Sequence, residues 1–411
     1  MKILVYAPTV GRGGVHRVVE TLMDGFNRVS GVNTRFDVLG QTYDEIGLKI
    51  EWPEAWDFEQ LDPGPTIPKH PEQFQWLYSQ QETFVAHLAR RAPDYDLVFC
   101  PSPWWTMRVK EWPMQKLGVP FVTVVADFAF DHIEMGLLAY NFRHVAKLIA
   151  QQADFTVFLS DWQRKWGEDH YNFKHTATIH HSADFVAKDF VPTGDEAVRV
   201  GQKYGLPARY ILAFHPMHHK GILDVLPAFK IARGESSAVP PLVVAGINTE
   251  HLFSEESIDS HIDEVRVLLK DIGAVQNDNV FALGRIPGED IAGLYVGAEA
   301  SVVASHSDGT LSGAIFESMA ASTPLIFSNL PVFTEELGTD NRYGLMFPVG
   351  DIPALAKAIV KVCEGRPSAH MRAMEAFGFT NKRSHLDVAR EYLTVFEQVT
   401  KRGDDEQHQN A

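Results

Sequence analysis

The feature that most constrains this chain is an alternation that runs along it twice. Short, mainly apolar runs are each followed by turn residues and then by a stretch of helical periodicity. Lys2–Ala7 reads as a strand, and Val15–Arg28 sets Val15, Val18, Val19, Leu22, Met23 and Phe26 on one helical face. Leu97–Cys100, Phe121–Val125 and Phe155–Leu159 read as further strands. A strand that is apolar on both faces belongs to a parallel sheet covered on both sides. Doubly wound α/β architecture follows. The pattern restarts after about residue 187, with Tyr210–Phe214, Leu242–Ala245, Val280–Leu283, Ala300–Ala304 and Leu325–Phe327 as strands. Gly221–Arg233, Ser257–Ile272, Asp290–Val296 and Gly313–Ala321 read as helices between them.

Charge and cysteine usage exclude several classes of function. The 411 residues carry 37 basic and 53 acidic side chains, a net charge of −16. Nucleic-acid phosphates and anionic membranes repel such a surface on average, so no nucleic-acid partner is expected. Peripheral association with a membrane stays open, as does the oligomeric state. Cys100 and Cys363 are the two cysteines and neither lies in a CxxC pattern. No disulfide framework or structural zinc site is implied, and a cytoplasmic location is expected. No window approaches a membrane span, and the first residues lack the long apolar core of a signal peptide. All eight Trp precede residue 167. Pro53–Pro71 holds five of the 23 prolines and reads as a loop-rich insertion.

Ligands of open α/β sheets bind at the carboxyl ends of strands, and two such domains make the cleft between them the natural site. Four stretches fall at strand ends. Gly11–Arg17 follows the first strand, where glycines and a helix N-terminus suit an anion, although a plain tight turn has the same sequence. It is no GxGxxG fingerprint, because His16 stands where the last Gly would be. His215–Gly221 follows the strand ending at Phe214 and gathers three His beside Lys220, a cationic pocket suited to a diphosphate. A solvated loop is the bland alternative. A metal reading lacks carboxylate or Cys ligands at ordinary spacing, so no metal is expected. Ser305–Gly313 enters a helix with small residues whose N–H groups suit an anion, and Glu317 follows. Glu317 can hold ribose hydroxyls or merely complement the helix dipole. Trp104 and Trp105, with Asp127, Asp131 and His132, follow two central strands and can stack on and hold a sugar, or simply pack.

Taken in order, these pieces resemble a retaining glycosyltransferase of family 4, glycosyl transferases group 1, with the GT-B fold. Gly13-Gly14 and the helix after it resemble the family's N-terminal segment. Ala153–Val157 with Ser160, Tyr171 and Ile179–Asp184 resembles a second block. Lys220–Phe229, Phe281–Pro287, Glu317–Ile326, Glu335 with Glu336, and Asp351–Ala356 resemble further blocks, in the family's order over most of the chain. The resemblance implies two Rossmann-like domains facing a central cleft. These are 1–187 on the acceptor side and 188–385 for the nucleotide sugar. A C-terminal helix, 386–402, packs back on the first, and 403–411 is a disordered tail.

The resemblance also implies roles. Gly13 and Gly14 lie under the donor diphosphate, and Lys220 neutralises it together with His215. Glu317 binds the ribose, and the backbone at Arg285 and Ile286 contacts the base. Gly309, Thr310, Leu311 and Ser312 offer N–H groups to sugar and phosphate, and Asp308 holds donor-sugar hydroxyls. Trp104, Trp105, Asp127 and Asp131 face the acceptor. Lys220, Glu317, Asp308 and His132 form the catalytic set. His215 replaces the family's Arg, Gly309 takes the place of its first glutamate beside Asp308, and Ala126-Asp127 replaces His-Asp, with His132 as candidate substitute. The implied reaction moves a sugar from a nucleotide diphosphate of UDP or GDP type to an unknown acceptor hydroxyl, without metal or other cofactor. A degenerate protein that binds a nucleotide sugar or a partner without turnover, and a sugar-nucleotide epimerase of the same fold, are the alternatives. A nicotinamide dehydrogenase is disfavoured by the missing fingerprint.

Overall fold

The computed structural model describes residues 1–7, 14–29, 31, 33–40, 52–61, 72–101, 117–125, 147–183, 190, 192–214, 217–246, 248–254 and 260–409. The chain divides into two units, Met1–Phe185 with Arg383–Ala411, and Val186–Lys382. The second unit thus begins at Val186, two residues before the expected 188. The chain returns to the first unit at Arg383, three residues before the expected 386.

Unit 1 is built on a parallel sheet in the order β3-β2-β1-β4-β5-β6-β7. Its strands are β1 (Lys2–Ala7), β2 (Arg35–Gly40), β3 (Asp57–Gln60), β4 (Leu97–Cys100), β5 (Phe121–Val125), β6 (Phe155–Phe158) and β7 (Thr176–Thr178). Within the apolar run of β1 the residues alternate between two cores. Ile3, Val5 and Ala7 join one, while Leu4 and Tyr6 join the other. This is the double coverage that the unbroken runs require. The first core is closed by helix α1 (Gly14–Val29) and by the last helix of the chain, His385–Gln409. Phe26 of α1 packs its ring against Tyr392 and Phe396 at centroid distances of 6.0 and 5.7 Å, and Phe99 of β4 lies 5.0 Å from Phe396. The second core is closed in part by α2 (Glu72–Arg91), through Phe84, Val85 and Leu88.

Three features of unit 1 depart from the sequence reading. β3 runs through Pro53–Pro71, which reads as loop; within that stretch 62–71 lie outside the described residues. β2 was hidden because Asp37 interrupts its apolar run. That carboxylate is buried and takes a hydrogen bond of 2.9 Å from Tyr95 Oη and one of 3.1 Å from Arg35 Nε, which is how a charge survives inside a sheet. The last helix continues to Gln409, through most of the tail expected to be disordered. No helix among the described residues is long and apolar enough to cross a membrane.

Unit 2 holds a parallel sheet in the order β10-β9-β8-β11-β12-β13. The strands are β8 (Ile211–Phe214), β9 (Leu242–Ala245), β10 (Val280–Ala282), β11 (Ala300–Val303), β12 (Leu325–Ser328) and β13 (Leu345–Phe347). This is the doubly wound order, whose direction reverses between β8 and β11. One face buries Ile211, Ala213, Val244, Val302 and Ile326 under helices α5 (Ile222–Glu235), α6 (Ser260–Asp271) and α10 (Ile352–Glu364). The other buries Leu212, Val243 and Phe281 with α4 (Gly194–Tyr204) and α7 (Gly288–Gly297). Unit 1 also contains α3 (Asp161–His170) and α12 (His385–Gln409), and unit 2 contains α8 (Gly313–Ala320), α9 (Pro331–Leu337) and α11 (Arg366–Thr380). Asp290 opens α7 fully buried. Burial pushes its carboxyl up, but hydrogen bonds from Lys203, Tyr204 and Arg199 of α4 outweigh this and hold it below the usual range.

Because Phe396 fills the space between Phe26 and Phe99, Phe396→Ala is expected to destabilise unit 1 by about 3–5 kcal/mol. Every Trp lies in unit 1. Tryptophan fluorescence during urea unfolding therefore reads this unit alone, and its midpoint should fall while a circular-dichroism component from unit 2 stays in place.

Candidate functional site

The reversal of strand order in unit 2 sends the segments after β8 and β11 apart and leaves a crevice at the carboxyl ends of those strands. A close backbone approach and the polar contacts it permits build its floor. After β8 the chain makes one tight turn, His218–Lys220, closed by Lys220 N–H to Met217 O (2.9 Å) and Gly221 N–H to His218 O (3.1 Å). Gly221 then starts α5 with φ of +75°, a left-handed conformation that costs a side-chain-bearing residue about 1–2 kcal/mol. Space excludes such a residue as well, since a Cβ here would lie 1.9 Å from Ala304 O. The turn after β8 therefore rests directly on the backbone that leaves β11.

This close approach permits the other contacts. His306 N–H donates to His219 O at 2.8 Å. His306 Nε2 lies 2.5 Å from Asp224 Oδ2 in the first turn of α5, and that hydrogen bond raises the imidazole pKa above its ordinary value. Lys220 Nζ donates to Asp308 Oδ2 at 2.7 Å, and Ser305 Oγ donates to the same oxygen at 3.2 Å. The Lys220 and Asp308 side chains are 19% and 12% exposed, so solvent screens this pair much less than a surface ion pair. Desolvation, with Lys220 alongside, pushes the His219 imidazole down to about 4, which leaves it neutral at physiological pH.

Beyond Asp308 the chain runs through Gly309, Thr310 and Leu311 to Ser312, the residue that caps α8. Leu311 points into the interior and is fully buried, so only its backbone is available to a ligand. The first N–H groups of a helix lack intrahelical carbonyl partners, and the positive end of the helix dipole lies there. Glu317 follows on α8 and is 6% exposed, a buried carboxylate rather than a solvated dipole partner.

The structure thus brings Lys220 and Asp308 into contact and carries Gly309 through Glu317 on the segment that continues from Asp308. Arg285 and Ile286 lie apart from them, after edge strand β10. Their neighbour Gly284 accepts from Gly246 N–H at 2.9 Å and donates to Thr249 Oγ1 at 2.7 Å, which knits them to the loop after β9. Arg285 is exposed, while the side chain of Ile286 belongs to the core. Gly14 opens α1 in unit 1. Gly13, Trp104, Trp105, Asp127, Asp131, His132 and His215 lie outside the described residues. The sequence reading gave Asp224, Ser305 and His306 no role of their own, although Ser305 and His306 open the third strand-end stretch. The available signal was Asp224, which falls one helical turn after Lys220.

Residues 208–365 match the model of the family Glycosyl transferases group 1. That segment spans β8 through α10 and includes Lys220, Arg285, Asp308 and Glu317. No curated protein matches the sequence. Among solved structures, the chain is similar to sucrose-phosphate synthase from Thermosynechococcus elongatus, with a TM-score of 0.75 at 20% identity, covering 98% of this chain and 100% of that one. It is similar to HepE of Anabaena in complex with UDP-glucose, with a TM-score of 0.69 at 15% identity over 98% and 100%. It is also similar to α,α-trehalose 6-phosphate synthase from Burkholderia multivorans, with a TM-score of 0.68 at 13% identity over 99% and 98%. The fold is GT-B.

Two outcomes test the floor of the crevice. Gly221→Ala should destabilise unit 2 by about 1–2 kcal/mol from φ alone and by more once the clash is counted, read by calorimetry. The His306–Asp224 pair should make unit 2 pH-sensitive. Its folded pKa is raised, so its contribution is complete below the ordinary value of 6.5 and is lost as pH rises through the raised value. Melting curves between pH 6 and 9 should show this decline, and Asp224→Asn should flatten it.

Proposed function

We propose that the chain transfers a sugar from a nucleotide diphosphate donor to an acceptor hydroxyl, with the anomeric configuration retained. The observation that carries this reading is the Lys220–Asp308 contact at the switch point of a segment matching a glycosyltransferase family model. The similar Anabaena structure holds UDP-glucose, which supports a nucleotide sugar donor of UDP or GDP type.

In this reading the donor breaks the ion pair by serving both halves. Sugar hydroxyls donate to the Asp308 carboxylate, and diphosphate oxygens accept from Lys220. The charge on the leaving diphosphate grows as the glycosidic bond breaks, so Lys220 and the N–H groups leading into α8 stabilise the transition state more than the ground state. Glu317 accepts from the ribose hydroxyls. Retention without a protein nucleophile requires attack on the face that the phosphate leaves, with a phosphate oxygen taking the acceptor's proton. The protein's part is then positioning and electrostatics. Gly13 and Gly14 supply further N–H groups, and His215 adds donor contacts. The backbone at Arg285 and Ile286 meets the base. Trp104, Trp105, Asp127, Asp131 and His132 are assigned to the acceptor side. Lys220 supplies the positive charge that a metal gives elsewhere, so the reaction needs no divalent cation.

A second reading has its own observation. Asp308 neutralises the very Lys220 that should meet the diphosphate, which suits a protein that binds a nucleotide sugar without turning it over. Incubation with nucleotide sugars and acceptor extracts, without added Mg²⁺, separates the two. Transfer should occur, and Lys220→Ala and Glu317→Gln should each reduce it by about 10²-fold or more. Saturable nucleotide diphosphate binding with an intact donor would support the second reading. Sugar isomerisation without any acceptor would support an epimerase. A ligand at 100 times its Kd adds about 2.7 kcal/mol of stability, so a calorimetric screen of UDP, GDP and ADP should identify the base.

A further inference from the structure

The histidines before Lys220 do not all serve the crevice. His218 opens the turn after β8, and its Nε2 lies 3.4 Å from Glu264 Oε2 on α6. Its ring centroid is 4.9 Å from that of His261 on the same helix. One donor atom from each of His218, His261 and Glu264 lies within 4.8 Å of the other two. His261 and Glu264 are three residues apart and share one face of α6.

We propose that His218, His261 and Glu264 form a binding site for Zn²⁺. Nitrogen and oxygen ligands at 2.0–2.2 Å from a tetrahedral centre are about 3.4 Å from one another. The His218–Glu264 separation already has that value, and the other pairs need at most about 1.4 Å of side-chain movement. Two imidazoles with one carboxylate are a donor set for zinc and its neighbours, whereas Mg²⁺ and Ca²⁺ take oxygen shells. Three protein ligands leave a fourth position for water. The local spacing after β8 offers no carboxylate, and the fold supplies one from a distant helix. The competing description is an ordinary exposed His–Glu ion pair. The two descriptions differ in what removing His261 does: it weakens metal binding but leaves an ion pair intact.

An ion here would tie the turn carrying Lys220 to α6, so it would brace one wall of the crevice. It takes no part in the transfer chemistry, and the inference stands whether or not the proposed reaction does.

The test uses the full chain, stripped with a chelator and dialysed. Zinc titration against a chromophoric competitor should give one ion per chain, Co²⁺ should give the intense visible bands of a tetrahedral site, and Zn²⁺ should raise the melting temperature of unit 2. His218→Ala, His261→Ala and Glu264→Gln should each weaken binding by at least the roughly 10–100-fold that follows loss of even an outer-shell partner. His218 and Glu264 are more than half exposed, so those two variants keep the fold, which circular dichroism verifies. Unchanged zinc affinity in these variants would place the ion on other histidines and overturn the proposal. So would the absence of one-to-one binding in the parent chain.

Discussion

The candidate site depends on one absence of atoms. Gly221 has no Cβ, and Ala304 O occupies the space where one would be. Parallel strands on either side of a topological reversal diverge by nature, because the segments that follow them cover opposite faces of the sheet. Here the segments after β8 and β11 first touch backbone to backbone and only then separate. Every polar contact of the crevice floor follows from that touch. The amide of His306 reaches His219 O, the His306 ring reaches Asp224, and Lys220 reaches Asp308. Opposite charges are held together by steric fit between main chains, and long flexible side chains do not have to find each other.

This arrangement divides the histidines of unit 2 by their surroundings. His306 is drawn toward the protonated form by Asp224, and His219 is driven toward the neutral form by desolvation. His218 stands at the surface beside a second ring and a carboxylate. In a chain of net charge −16, positive charge near the crevice is thus local.

Much of the fold was legible because both sheets are parallel and covered. β4, β8 and β9 are unbroken apolar runs, and β1, β5 and β11 are broken by one polar residue each, Lys2, Thr123 and Ser301; at four to six residues between turn signals they read as covered strands. The strands that escaped did so for different reasons. β2 carries Asp37, whose partners Arg35 and Tyr95 are visible only once the sheet is folded. β7 and β13 are three residues each, too short to show a period. In the candidate site, Lys220 and Glu317 stood out through local chemistry at strand and helix ends, and Asp308 through the family resemblance. The pairing of Lys220 with Asp308 did not, because it depends on the adjacency of β8 and β11. His261 and Glu264 were invisible for the same reason: what makes them notable is His218, on another element.

Unit 1 is assembled from both ends of the sequence, and α12 covers the face on which Phe26 and Phe99 lie. During synthesis, therefore, the order of completion is inverted. Unit 2 is continuous and has all its residues once Lys382 has emerged, whereas the earlier-made half of unit 1 must wait for α12. Until then its aromatic face is uncovered at the ribosome, an exposed apolar surface of the kind chaperones bind and aggregation exploits. The arrival of α12 ends this vulnerable interval.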